Sequence, residues 1–223
     1  MVNVLDKVQP KNKAQLKRLI DYAFKHNIYD LNFIDTSKIT NMSNLFMNCE
    51  YDIDVSNWDV SNVTTTFCMF VGCKKFNSDL SNWDVSNVKN MNNMFYCCKN
   101  FDCDLSNWNV SNVTDMYSMF TACENFKGKG LDNWDVSKAE DMRFMFYNCK
   151  NFNCDLSNWD MSKALRINEM FYGCKNFEGK GLENWKLEKT LFYYNIFTGC
   201  DKVKLPSWYK AFLKRCNLEF FQK

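Results

Sequence analysis

The chain has 223 residues, 28 basic and 26 acidic, with a formal net charge of +2 and one histidine. That near-balance lacks the basic footprint that nucleic-acid or anionic-membrane binding demands, so generic polyanion binding is disfavoured. No apolar run approaches the roughly 18 residues of a membrane span, and the opening Met1-Val2-Asn3-Val4-Leu5-Asp6-Lys7 lacks the hydrophobic core of a secretory signal, so the sequence reads as soluble and untargeted.

Residues 1–30 read as an N-terminal cap. Lys11 to His26, following Pro10, place Leu16, Leu19, Ile20, Ala23 and Phe24 on one helical face. From Leu31 the chain becomes periodic. Trp58, Trp83, Trp108, Trp134, Trp159 and Trp185 recur every 25 or 26 residues with their neighbours in step, which predicts about seven copies of one unit over 31–208, stacked into a single elongated domain.

The unit from Asp79 to Phe101 reads in two halves. Leu80, Trp83 and Val85 follow the i, i+3, i+5 pattern of a leucine-rich-repeat strand. Val88, Met91, Met94, Phe95 and Cys98 then fall at helical spacing, with Ser86 as an N-cap. The expected architecture is an α/β repeat solenoid, a leucine-rich-repeat-like coil with parallel strands on one face, short helices on the other and a helical N-terminal cap. One coil alone is too small to fold, so stability must come from stacking Trp on Trp and Phe on Phe between neighbours.

Two copies are a residue longer, at Lys127-Gly128-Lys129-Gly130 and Glu178-Gly179-Lys180-Gly181, where glycine permits a bulge that leaves the stack unbroken. Leu205-Pro206-Ser207-Trp208 repeats the Leu-x-x-Trp spacing, but Pro206 suits only an edge. Residues 209–223, with Phe212, Leu213, Leu218, Phe220 and Phe221, read as a C-terminal cap folded over the last coil.

Trp-Asp-Val-Ser-Asn-Val followed by Met-Phe-x-x-Cys-x-x-Phe resembles the BspA-like leucine-rich repeats, specifically the DUF285 type, across about residues 31 to 208. The resemblance implies a right-handed leucine-rich-type solenoid, often surface-displayed and acting in adhesion or protein binding. It brings no catalytic residue and no cofactor.

The position after each Trp or its equivalent holds Asp35, Asp59, Asp84, Asn109, Asp135, Asp160 and finally Lys186, an acidic stripe expected to point away from the core. Two readings stand side by side: each Asp accepts local hydrogen bonds from amides near its Ser, or the stripe binds a basic protein partner. Calcium needs convergent oxygens that a straight row does not supply. Asn57, Asn82, Asn107, Asn133, Asn158 and Asn184 form a second row, read as a structural ladder.

Cys49, Cys73, Cys98, Cys123, Cys149, Cys174 and Cys200 share one repeat position and read as a buried column, which favours a reducing, cytoplasmic interior. A cell-surface or secreted location is the alternative if a leader precedes the sequence. The pairs Cys68/Cys73, Cys98/Cys103 and Cys149/Cys154 raise a zinc hypothesis, weakened because one member of each belongs to the column. Cys68, Cys97 and Cys216 have no repeat partner.

His26 sits in the cap without a recurring acid or nucleophile, and no phosphate loop, zinc-protease motif or nucleophile elbow occurs, so an enzyme is not expected. The leading expectation is a non-enzymatic scaffold for protein recognition through its strand face and inter-repeat loops. The rivals are an architectural or adhesion component associating through its ends and, from a different class, a carboxylate hydrolase.

Overall fold

The computed structural model describes residues 7–191 and 193–216. Its helices are α1, Lys13–Lys25, and α2, Ser207–Arg215, with two short 3-10 turns at Leu131–Asn133 and Leu182–Asn184. Asn12 caps α1 by accepting from the Gln15 amide, and Leu16, Ile20 and Ala23 form its buried face. Tyr209 and Leu213 do the same for α2. Leu218, Phe220 and Phe221 lie outside the described residues.

Between the helices the copies stack coil on coil. A row of parallel contacts runs Asn41, Thr65, Asn90, Asp115, Asp141, Arg166, the first junction has a second contact between Asp30 and Asp54, and Val8 adds another beside Ile34. The expected α/β solenoid, with parallel strands on one face and short helices on the other, is not what forms: among the described residues these contacts are isolated bridges, and no α-helix occurs within the coils.

The strand half fails because the backbone turns too often. The Asp79 carboxylate accepts the Ser81 amide at 2.9 Å and Asp84 accepts that of Ser86 at 3.0 Å, so a side-chain-closed corner arrives every five residues. A ladder needs a longer extended stretch. Ser86 therefore closes a corner instead of capping a helix.

The helix half fails for a different reason. In run 92–97, Asn93 and Cys97 have φ of 55° and 60°, in the left-handed region that a right-handed helix cannot contain. The Met94 amide donates to the Met91 carbonyl at 3.1 Å and Cys98 to Phe95 at 2.9 Å, which with those φ values is the signature of consecutive type II turns. Alternate amides leave the coil altogether: Asn93, Phe95 and Cys97 donate to the carbonyls of Tyr117, Met119 and Thr121 on the next coil at 2.8–2.9 Å. The runs at 43–48, 67–72, 117–122, 143–148, 168–173 and 194–199 share the left-handed pair, from Asn44 and Asn48 to Asn195 and Gly199.

This geometry explains the three solitary cysteines by place. Cys68 and Cys97 occupy left-handed positions of their runs, and Cys216 is the exposed residue that ends α2.

The core lies inside the stack. Trp58, Trp83, Trp108, Trp134, Trp159 and Trp185 are 1–4% exposed, and the pairs Trp108–Trp134 and Trp159–Trp185 lie nearly parallel with centroids 6.3 and 6.4 Å apart. A second column runs through Phe46, Phe70, Phe95, Phe120, Phe146, Phe171 and Phe197 at 5.4–5.9 Å, with interplanar angles of 1–9°.

The tryptophan column and the cysteine column carry buried donors. Each indole Nε1 donates to a carbonyl one coil back, as Trp108 does to Leu80 at 2.9 Å and Trp159 to Leu131 at 2.7 Å. The cysteine column repeats the device: Cys98 Sγ donates to the Phe70 carbonyl at 2.9 Å, Cys123 to Phe95 at 3.0 Å and Cys149 to Phe120 at 2.8 Å. Burial pushes the thiols of Cys98, Cys123, Cys149 and Cys174 well up and that of Cys200 to about 12.

A thiol without thiolate character reacts slowly. In the native protein at pH 8 a disulfide reagent should label exposed Cys216 first, while Cys123 and Cys149 label only as fast as the chain unfolds. Mass-resolved labelling with and without denaturant checks this, and prompt labelling of Cys123 in the folded state contradicts it.

The inserted glycines are needed for their backbone. Gly130 has φ of 89°, and a Cβ there would meet the Ser106 amide nitrogen at 2.2 Å and its Cα at 2.5 Å. Both atoms are backbone and cannot swing aside. Gly130→Ala should cost more than about 2 kcal/mol, against the small gain that Gly→Ala brings at ordinary φ, as measured by urea unfolding.

Candidate functional site

The predicted stripe forms one corner of every coil. Asp35 accepts the Ser37 amide at 3.0 Å, Asp59 that of Ser61 at 2.9 Å and Asp84 that of Ser86 at 3.0 Å. Asn109, Asp135 and Asp160 repeat the contact with Ser111, Ser137 and Ser162 at 3.0–3.1 Å. The Ser37, Ser86 and Ser137 hydroxyls, followed by their amides, hold Asp35, Asp84 and Asp135 below the usual carboxylate range, and for Asp160 the Ser162 amide leads. The local reading of the stripe therefore describes one carboxylate oxygen of each.

The other oxygen differs. Asp35 Oδ2 accepts from Gln9 Nε2 at 2.7 Å, whereas among the described residues Oδ2 of Asp59, Asp84, Asp135 and Asp160 accepts no protein hydrogen bond. Two shallow depressions bring this row beside the asparagine row. One, of about 550 Å³, is lined by Lys7, Asn57, Trp58, Asp59, Asn82 and Asp84, and another, of about 390 Å³, by Asn158, Trp159, Asp160, Asn184 and Lys186. The asparagines do not bond amide to amide along their row: Asn107 and Asn158 donate instead to the backbone carbonyls of Ser81 and Asp132 one coil back, at 3.3 and 3.2 Å.

A second acidic row, which the sequence reading did not single out, lies one corner earlier. Asp54, Asp79, Asp104 and Asp155 accept the amides of Ser56, Ser81, Ser106 and Ser157 at 2.9–3.0 Å. Its signal was present as the Asp-x-Ser that stands five residues before Asp59, Asp84, Asn109 and Asp160. The inserted lysines reach this row, Lys129 to Asp104 and Lys180 to Asp155, each at 2.7 Å. A further cross-coil set joins Glu124 to Lys99 and Lys150 at 2.8 and 2.6 Å.

Cys103 accepts the Leu80 amide at 3.2 Å, while Cys98 and Cys149 serve the column. Among the described residues no group of three or more His, Cys, Asp or Glu could hold a metal ion. His26 is exposed at the end of α1, its Nδ1 2.8 Å from the Tyr22 carbonyl. No helix among the described residues is long and apolar enough to cross a membrane.

The fold and corners together define a class: a stack of turn-built repeats that exposes one polar corner per coil. The profile of the family described as "Mycoplasma protein of unknown function, DUF285" matches residues 14–130 and 98–209, and the chain belongs to that family. No curated protein matches it. Among solved structures, a chain from "Crystal structure of TLR13-ssRNA13 complex" is similar at 10% identity and a TM-score of 0.20, covering 88% of this chain and 41% of that one; at that score the likeness carries no argument.

The Lys129 and Lys180 ammonium groups, followed by the Ser106 and Ser157 hydroxyls and amides, lower Asp104 and Asp155 to about 2. Because these folded values lie below the unfolded value of about 3.9, their stabilisation is complete above that pH and disappears as pH falls towards about 2. Carboxyl chemical shifts should titrate near about 2 at both sites, and Lys180→Met should raise the Asp155 midpoint while leaving Asp104 in place. These pairs are exposed, so added salt should weaken the effect.

Proposed function

We propose that the chain is a non-enzymatic scaffold for protein recognition, engaging a basic partner through the Trp–Asp corner and the loops between coils. The observation that supports this reading is the unbonded second oxygen of Asp59, Asp84, Asp135 and Asp160. Successive coils lie about 5 Å apart, so a partner with regularly spaced Lys or Arg meets several carboxylates at once. The likeness of the Trp-Asp-Val-Ser-Asn-Val motif to BspA-like proteins points towards protein binding as well. A cytoplasmic location accompanies the reading, supported by cysteines that are all free and whose column thiols act as hydrogen-bond donors.

The test uses a substitution that the chain already contains. Asn109 closes its corner on Ser111 as the aspartates do on their serines, so Asp→Asn at Asp59, Asp84, Asp135 and Asp160 together should preserve the backbone while removing charge. Affinity capture from cell extract should recover a basic protein with the native chain and lose it with the quadruple variant. Undiminished capture would remove the corner from consideration.

A second reading, an architectural or cell-surface adhesion component associating through its ends, draws on the last coil, where Leu191 and Tyr194 are 69% and 48% exposed. On that reading truncation from Tyr209 changes assembly and the Asp→Asn variant does not.

A further inference from the structure

One hydrogen-bond pattern recurs at every junction between turn runs. The amides of the second, fourth and sixth residues donate to the carbonyls of the first, third and fifth residues of the following run at 2.6–3.1 Å, beginning with Asn44, Phe46 and Asn48 onto Phe67, Met69 and Val71 and ending with Glu169, Phe171 and Gly173 onto Tyr194, Ile196 and Thr198. The first run, 43–48, has no run before it. Among the described residues the carbonyls of Ser43, Leu45 and Met47 accept no hydrogen bond, so three acceptors in register line this edge of the stack. Helix α1 does not close it: Asn44, Met47 and Asn48 are exposed, whereas in the fourth run their counterparts Ser118 and Thr121 are buried and Ala122 is half-buried.

The core is open at the same place. Phe46 stacks on Phe70 at 5.4 Å with 5° between planes, but Phe24 of α1 meets it at 6.5 Å and a tilt of 44°. A cavity of about 230 Å³ remains beside them, lined by Phe24, Phe46, Met47, Asn48, Cys49 and Tyr51, and its two charged residues, Lys17 and Glu50, are of opposite sign. Cys49 lacks the usual acceptor as well. The next thiol of the column, Cys73, donates to the Phe46 carbonyl of the preceding coil at 3.0 Å, while Cys49 Sγ reaches the Tyr51 carbonyl at 3.9 Å.

The geometry points to a docking edge on run 43–48 for a peptide segment of another protein, which takes the place of a preceding run. The interior junctions define what that segment brings: alternate amides directed at Ser43, Leu45 and Met47, an uncharged bulky side chain that enters the cavity against Phe46, and the carbonyl of that same residue for the Cys49 thiol. Phenylalanine holds this fourth place in all the runs, from Phe46 to Phe197. Backbone bonds set the register and the cavity selects the side chain, as in strand addition to an open sheet edge. A second copy of the chain does not fit here. The forward amides of its first six runs are spent on its own junctions, and Phe197 of its last run lies against Tyr209 of α2, so α1 and α2 would stand between the two runs.

The probe is a synthetic peptide with the sequence of residues 41–48, Asn-Met-Ser-Asn-Leu-Phe-Met-Asn, titrated into the full chain while amide chemical shifts are recorded. Saturable shifts should centre on residues 43–51 and on Phe24, with a Kd of about 0.1–1 mM. Alanine in place of the peptide's phenylalanine should weaken binding about tenfold or more, because the cavity is then left unfilled. N-methylation of the three donor amides, those matching Asn44, Phe46 and Asn48, should abolish it. Both changes are made in the peptide, so the fold of the protein is untouched. No saturable shift up to about 5 mM, shifts centred instead on the last run or the Trp–Asp corner, or an alanine or N-methylated peptide that binds like the parent would each overturn the inference.

Discussion

Hydrogen bonds that run from one coil to the next govern this structure. In a helix or a sheet the backbone satisfies its own polar groups through a regular pattern, but a coil made of corners and turns cannot. Here alternate amides of each run donate forward, Cys68, Phe70 and Gly72 to Asn92, Met94 and Tyr96 at 2.7–3.0 Å, while their neighbours close turns within the coil. What the backbone leaves open in the interior is met by the two side chains that can lie in an apolar core and still donate. Trp and Cys recur for that reason: the indole supplies area and an N–H, the thiol a small volume and an S–H.

Such a coil has no independent existence. The forward amides of an isolated coil would have no acceptors, and its Trp no carbonyl beneath it. Cohesion therefore belongs to the junctions between coils, and ends must be treated differently from interiors. Helix α1 sets Phe24 against Phe46, and α2 places Tyr209 edge-on to Phe197, so the terminal rings of the phenylalanine column meet side chains in place of another coil.

The sequence disclosed the period, the buried tryptophans and phenylalanines and the thiol column, because apolar positions recurring at a fixed interval report burial whatever the backbone does. It misled on the backbone itself. Met91, Met94, Phe95 and Cys98 have the i, i+3, i+4, i+7 spacing of a helix, yet consecutive type II turns return the chain to the same side at the same intervals. The discriminating signal was a different set of residues, and only a partial one: Asn44 with Asn48 and Asn195 with Gly199, types that accept positive φ, stand four apart, while Gly72, Asn93, Asn148 and Gly173 hold one of the two places in their runs. The strand reading failed similarly, since Asp-x-Ser twice in eight residues, as in 79–86, marks two corners and the apolar pattern between them cannot show that. For the stripe, spacing located the aspartates correctly but could not divide each carboxylate into an oxygen bound to serine and an oxygen left open.

That division also bears on where chemistry can be read from this surface. At the corners, Asp, Asn and Ser are required by the backbone, so their presence on one side of every coil says little about a ligand. In the turn runs the second and sixth positions hold positive φ, which favours Asn and Gly, whereas the first and fifth carry no such duty. Ser43, Phe67, Asn92, Tyr117, Arg143 and Tyr194 share one of these positions, which shows how loosely the fold constrains it. Where the backbone is indifferent, a surface in water would ordinarily gather lysine and glutamate. Part of their scarcity on the face the runs build follows from the positive φ of the second and sixth positions of each run, which favours Asn and Gly over Lys and Glu, and part from the first and fifth positions, where rings pack on one another across coils as Tyr147 does on Tyr172.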